Sequence, residues 1–314
     1  KRRRVIINFL IIIQGYMNKQ AITYKNDEDM LEAIKTKQRN ITIIKIPMYL
    51  SMVGLVLPFV GAVLNIYDTK ILTVLRVTAV ACILIGFLLA MLCNKKMNDL
   101  REFIGYNIVV GILMEQMQVI DYMPSRYVSE SFLNSCGFLP AYNRVSGSDY
   151  IHGIYRNTEF TYSNLVLKTE DQDYTAGENN MRTTITEFSG QFITVSLNKT
   201  VNGIVQIEEK SSSRKEDRDK KSLLIGGFDV NASDEAIAYS ILTPQFISGL
   251  KKMGRNTSIQ ISGNMAVIAR NNKKNLFEQK RQVKDINDVE SFRQEFRKEL
   301  SDILTVIDIV IDSL

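Results

Sequence analysis

The chain has 314 residues, with 39 Lys and Arg against 34 Asp and Glu and a formal net charge of +5. That excess is too small to argue for nucleic acid, and three scattered cysteines with a single histidine exclude a disulfide framework and a zinc pattern. The average hydropathy hides a split: apolar residues concentrate between residues 43 and 93, and the remainder is rich in Lys, Asn, Asp and Glu.

The chain opens on Lys1-Arg2-Arg3-Arg4 and an apolar run over residues 5–13. A basic start before a short apolar run resembles a signal peptide, but no small-residue cleavage site follows. We read Met17 as the true start and residues 1–16 as lying outside the native protein. A third membrane-associated segment and a signal peptide are the alternatives. Residues 26–36 carry Asp27, Glu28 and Asp29, acidic groups suited to the positive end of a short helix. Residues 1–42 form an N-terminal cytoplasmic segment in this reading.

Residues 43–67 contain Lys45 as their one charge, and residues 71–93 contain Arg76. Each run is long enough to cross a hydrocarbon core of about 30 Å, which takes roughly 20 residues. Pro47 and Pro58 are tolerated in membrane helices, where neighbouring groups satisfy the freed carbonyls. Asp68-Thr69-Lys70 is the whole connection, so residues 43–93 predict a transmembrane hairpin of two antiparallel helices. Gly54, Gly61 and Gly86 are small enough for close helix contact. Lys35, Lys37, Arg39 and Lys45 precede the hairpin, and Lys95, Lys96 and Arg101 follow it. This places both tails in the cytoplasm of a multi-pass protein of the cell membrane.

Residues 94–147 read as connecting helices. Residues 98–118 carry a helical apolar face, Pro124 ends that unit, and residues 129–136 predict a further helix stopped by Gly137. From residue 148 to 314 the pattern is that of an α+β domain. Residues 149–154 and 158–169 alternate as strands, with Phe160, Tyr162, Leu165 and Leu167 inward and a break near Ser163-Asn164. Residues 183–188 and 191–197 form a pair around Ser189-Gly190, and residues 204–208 a further strand. The charged run 211–221 reads as a solvated loop. Ser233 is the expected N-cap of a helix, and Pro244 opens the next one. Residues 258–261 and 265–269 flank Ser262-Gly263-Asn264, a hairpin signal. Residues 288–314 predict a long helix whose apolar stripe must pack on the sheet, another chain or the membrane surface.

No residue set carries chemistry. His152 stands in a strand-like run and reads as structural. Asp229 and Asp234 could reach one cation, yet a strand end and a helix cap account for them. Asp302, Asp308 and Asp312 read as the polar side of the last helix. Lys251, Lys252, Arg255, Lys273 and Lys274 read as a solvated sheet end, with anionic lipid as the alternative. We therefore assign no catalytic, cofactor-binding or metal residue.

Ser148-Asp149-Tyr150-Ile151-His152-Gly153 with Phe160-Thr161-Tyr162-Ser163, then Phe188-Ser189-Gly190-Gln191-Phe192, then Phe228-Asp229-Val230 through Asp234, Ala238 and Leu242-Thr243-Pro244-Gln245-Phe246, and finally Phe277-Glu278, resemble the motifs of the bacterial domain-of-unknown-function family numbered 3137. The resemblance covers roughly residues 98–314. Ser148, where that pattern has Gly or an acidic residue, and the insertion at 211–221 depart from it. It implies a bacterial membrane protein with a cytoplasmic α+β domain and brings no catalytic residue.

The expectation is an α+β protein with a transmembrane hairpin and a cytoplasmic antiparallel sheet with flanking helices. Its function reads as non-catalytic binding or scaffolding at the bilayer, with protein partners or self-association through the hairpin and the C-terminal helix. A subunit of a membrane transport or envelope-maintenance complex is the alternative, and an enzyme a distant third.

Overall fold

The structure, a computed structural model, describes residues 26–56, 69–172, 182–209, 223–273 and 289–314. The expectations for residues 1–16, for the connection at Asp68, for Pro58, Gly61, Lys274 and Phe277-Glu278, and for the charged run 211–221 lie outside the described residues. The chain divides into a helical unit, Ile22–Ile104 with Lys284–Val289, and a mixed unit, Gly105–Val283 with Glu290–Leu314.

The helical unit contains α1, Asp27–Val53, a 3-10 turn at Gly54–Val56, and α2, Thr69–Ile104. Asn26 caps α1 by accepting from Glu28 N, ahead of the expected acidic first turn. The two helices are antiparallel, because their partners run in opposite chain directions. Lys37 Nζ lies 5.0 Å from the ring centre of Phe103, Ser51 faces Gly86, and Gly54 faces Cys82. A Cβ at Gly86 would come within 2.6 Å of Ser51 Oγ, so glycine sets the approach there. The helix that starts at Thr69 is long and apolar enough to cross a membrane, and it is the one such helix among the described residues. The expected first span is described only to Val56, so its crossing is not established by these residues.

The mixed unit begins with a π turn, Gly105–Val109, and α3, Val110–Gln116. Strand β1, Gln118–Met123, follows where the sequence reads as helix and connection. The helical spacing of residues 98–118 overran the start of a six-residue strand in which Tyr122 is the buried residue. Next come α4, Glu130–Ser135, capped by Ser129, then β2, Arg144–Tyr155, β3, Thr158–Gln172, β4, Arg182–Glu209, β5, Leu223–Ile225, and β6, Phe228–Ala232. Helices α5, Glu235–Ile241, and α6, Pro244–Lys252, lead to β7, Thr257–Arg270, and the terminal α7, Val289–Ser313.

All pairings are antiparallel, and the sheet runs β1-β2-β3-β4-β6-β5 with β7 on β4. Strand β7 doubles back on itself. A straight run would separate Asn256 from Asn271 by about 50 Å, yet Asn271 N donates to Asn256 O at 2.9 Å. Gly263, at φ +57°, occupies the position that a two-residue type II′ turn reserves for glycine. The expected hairpin at Ser262-Gly263-Asn264 is therefore present. Strand β4 wraps around its tip: residues 191–196 pair with one leg, 265–270, and residues 204–208 with the other, 258–262. The separate strands expected at 191–197 and 204–208 are the two legs of that wrap. Residues 183–188 continue into the first leg without a turn at Ser189-Gly190. Gly190 lies within β4 where a Cβ would run into the carbonyl of Arg270, so it marks a close approach of backbones.

Side chains sort by register onto two faces. One face buries Tyr122, Ile151, Phe160, Tyr162, Ile193, Val195, Val205, Ile207, Ile259, Ile261 and Ile268. Helix α7 belongs to this side: Asp302 meets Arg270, and Arg156 holds Asp308 and Asp312. Its stripe, Phe292, Phe296, Leu300, Ile303, Leu304, Ile307 and Val310, is buried inside this unit, so of the three coverings expected for it the chain itself supplies one. The other face buries Leu165, Leu167, Phe188, Phe192, Val267 and Ala269 under the roof segment that carries Val128, Leu133 and Cys136.

Two local readings change. The cap of α5 is Asp234, which accepts from Ala236 N at 2.9 Å. Ser233 instead ties the turn to β4, where its Oγ accepts from Ile204 N at 3.1 Å and its N donates to Ile204 O. The break near Ser163-Asn164 is no interruption of β3; both side chains are buried there, which breaks the alternation.

Candidate functional site

Two polar constellations stand on opposite faces of the sheet. The first is enclosed. Asp149, at φ +58°, sits in the irregular register between Ser148 and Ile151 of β2, and its side chain is fully buried. Its carboxylate accepts from Tyr122 OH at 3.2 Å, Ser148 Oγ at 2.8 Å and Asn164 Nδ2 at 2.9 Å. Tyr162 OH donates to Asn164 Oδ1 at 2.7 Å. Burial, with the charge of Asp149 adding to it, pushes the Tyr162 phenol well above its ordinary range. Beside it, Arg270 Nη1 donates to Gln191 Oε1 at 2.7 Å and to Asp302 Oδ2 at 3.0 Å. Buried polar groups need such partners, and here they interlock β1, β2, β3, β4 and β7 under α7. Asp149, Tyr162, Asn164 and Gln191 are buried, and we read this constellation as architecture.

The second is open. Beside the roof segment, a groove of ≈ 570 Å³ is lined by Asp121 and Met123 of β1, by Arg126, Tyr127 and Phe132, by Tyr150 and Thr161, and by Thr194 and Met265. The register explains the convergence: Asp121 pairs with His152, His152 with Thr161, and Thr161 with Thr194, one cross-strand row over four strands. The two threonine hydroxyls bond each other at 2.7 Å. Burial raises the Asp121 carboxyl above the usual carboxylate range, opposed by a backbone amide and by nearby His152. Tyr150 is raised first by burial and then by the charges of Asp121 and Glu159, and Tyr127 by burial and by its bond to Glu130 at 2.8 Å. Carboxylates of Asp121, Glu130 and Glu159 thus stand around a groove that Arg126 also lines, with aromatic and thioether walls.

The residues weighed in the sequence fall as follows. His152 is on the groove side, with Nε2 2.7 Å from Glu159 Oε1, which fits its structural reading. Asp229 lies in β6 and Asp234 caps α5, so the pair is accounted for by strand and cap. Asp302, Asp308 and Asp312 do more than face water. Arg156, at the β2–β3 turn, reaches Asp308 at 2.7 Å and Asp312 at 2.8 Å, and Tyr155 OH donates to Asp308. Arg270 takes Asp302. The motif residues Phe188, Phe192, Phe228, Val230, Ala238, Leu242 and Phe246 are buried, and Thr243 caps α6. Asp121, Tyr127, Thr161, Thr194 and Met265 went unnoticed as a group because strands distant in the chain bring them together; the alternation around Thr161 was the one available signal.

Comparison with known proteins adds the following. The family described as protein of unknown function (DUF3137) matches residues 186–311, as the motifs led us to expect. No curated protein matches the chain. Among solved structures, the crystal structure of the mycobacterial trehalose monomycolate transport factor A, TtfA, aligns with 56% of this chain and 86% of its own at 16% identity, with a TM-score of 0.32.

Proposed function

We propose that the protein is a membrane-anchored, non-catalytic binding module. The α1–α2 pair is held in the bilayer, and the sheet groove receives a protein partner on the cytoplasmic side. The observation that carries the anchoring is the exposure of apolar side chains along both helices, from Ile43 to Val56 and from Ile71 to Leu92. In water that surface would be a large liability; in a bilayer it is the solvent-matched state. The hydroxyls among these residues turn back on their own helices, Ser51 to Met48 O, Thr73 to Thr69 O and Thr78 to Val74 O, as a hydrocarbon surrounding demands. Basic residues flanking both apolar runs support a multi-pass arrangement in the cell membrane with both tails cytoplasmic.

Binding rather than catalysis is favoured by how the groove's polar groups are engaged. Thr161 and Thr194 bond each other, and His152 is held by Glu159. We read these bonds as structural ties across the strands rather than as the arming of a nucleophile. The exposed helix surface is equally open to further helices, which supports a subunit of a membrane transport or envelope-maintenance complex as the second reading.

The test is affinity capture of the full chain from gently solubilised membranes, with mass spectrometry of what is retained. One recurrent protein partner supports the module. Repeated recovery of the chain alone overturns it, and a C-terminal reporter read as extracytoplasmic overturns the orientation.

A further inference from the structure

We propose that the groove takes a lysine or arginine side chain carried on an apolar stretch of the partner protein, with Asp121 as its counter-charge. This rests on the binding-module reading and names the chemistry that the module recognises.

Asp121 is a half-buried carboxylate in the groove wall, and among the described residues no Lys or Arg comes within ion-pair distance of it. Arg126 lines the same groove without pairing with it. The neighbouring imidazole is engaged by Glu159. A partly desolvated carboxylate without a cation is costly, and burial accordingly raises its pKa. Glu130 and Glu159 add negative charge nearby, as the upward shifts of Tyr127 and Tyr150 report.

The walls select the rest of the ligand. Tyr127, Phe132 and Tyr150 put aromatic rings in the lining, where a cation can meet them, and Met123 and Met265 add adaptable apolar surface. Lys and Arg match this pairing, with a charged head on an apolar stem. The groove is open along the sheet face and borders the edge strand β1, so a chain bearing that side chain can enter and leave it.

The test uses the full chain in lipid nanodiscs and the peptide acetyl-Leu-Val-Lys-Val-Leu-amide. Binding is expected, with the Nε-acetyl-lysine twin about tenfold weaker, the loss of one charge-assisted contact. Asp121→Asn weakens the lysine peptide about tenfold and leaves the twin unchanged; Asp121→Glu keeps binding, which separates lost charge from lost fold. Equal affinity for the two peptides, unchanged binding by Asp121→Asn, or no binding at all overturns the proposal. So does butylammonium that binds as tightly as the peptide, since the occupant would then be a small cation. A captured partner cross-linked to the groove without a basic residue at the contact overturns this inference alone and leaves the binding module standing.

Discussion

Tyr122 of β1 donates its hydroxyl to Asp149 of β2 at 3.2 Å, inside a layer where both side chains are buried. The bond fixes the irregular register between Ser148 and Ile151, and with it the row that sets Asp121 beside His152 and Thr161 on the opposite face. A buried network on one face thereby positions the groove on the other. Asp149→Ala removes the acceptor shared by Tyr122, Ser148 and Asn164, which costs on the order of 3 kcal/mol. Denaturant unfolding of the full chain in detergent measures it; a cost under about 1 kcal/mol, the range of an exposed pair, contradicts the network's role.

The wrap of β4 around the β7 hairpin gives a second prediction. Gly190→Ala forces a Cβ into the backbone carbonyl of Arg270, and overpacking of this kind costs about 1–3 kcal/mol. Gly227, whose Cβ position is open but whose φ is +96°, is the comparison. If Gly190→Ala unfolds at the wild-type denaturant concentration, the close approach is wrong.

For the helix pair, cysteines placed at Ser51 and Gly86 face each other across α1 and α2. Mild oxidation of membranes holding Ser51→Cys with Gly86→Cys, in a background where Cys82, Cys93 and Cys136 are Ser, yields an intramolecular disulfide. The mismatched pair Ser51→Cys with Leu100→Cys does not. The reverse pattern contradicts the antiparallel register.

Cys136, on the roof segment, is buried against the second face, and burial pushes its thiol up to about 11. At neutral pH it is protonated, so it reacts with a maleimide only after unfolding. The folded pKa lies above the unfolded value of 9.0, and the unfolded chain loses this proton first. The thiol's effect on stability is thus nil below pH 9, and stability falls as pH rises from there toward 11. Fast labelling of Cys136 in the folded chain at pH 7 contradicts its burial.

How much of this was legible in the sequence depends on whether the signal is local. Pro244 with Thr243, Gly263 at its turn and the stripe from Phe292 to Val310 are local patterns, and each lies where the spacing placed it. Strand β1 was hidden behind the helical period of residues 98–118 and the connection after it. Gly190 imitated a turn residue because sequence does not distinguish a glycine needed for φ from one needed for space. The groove joins residues 121, 127, 161, 194 and 265, which only the wrapped topology brings together. The motif residues drew notice and proved to be core, caps and buried network, so the resemblance marked the architecture and left the surface unmarked.

The binding reading is tested most directly by site-specific photo-crosslinking in intact membranes. A photoreactive amino acid in place of Thr161, in the groove, is compared with one in place of Ser301, exposed on α7 on the opposite side of the sheet. One discrete protein adduct is expected from position 161 and none from 301. Adducts from neither position, or the same adducts from both, would contradict it.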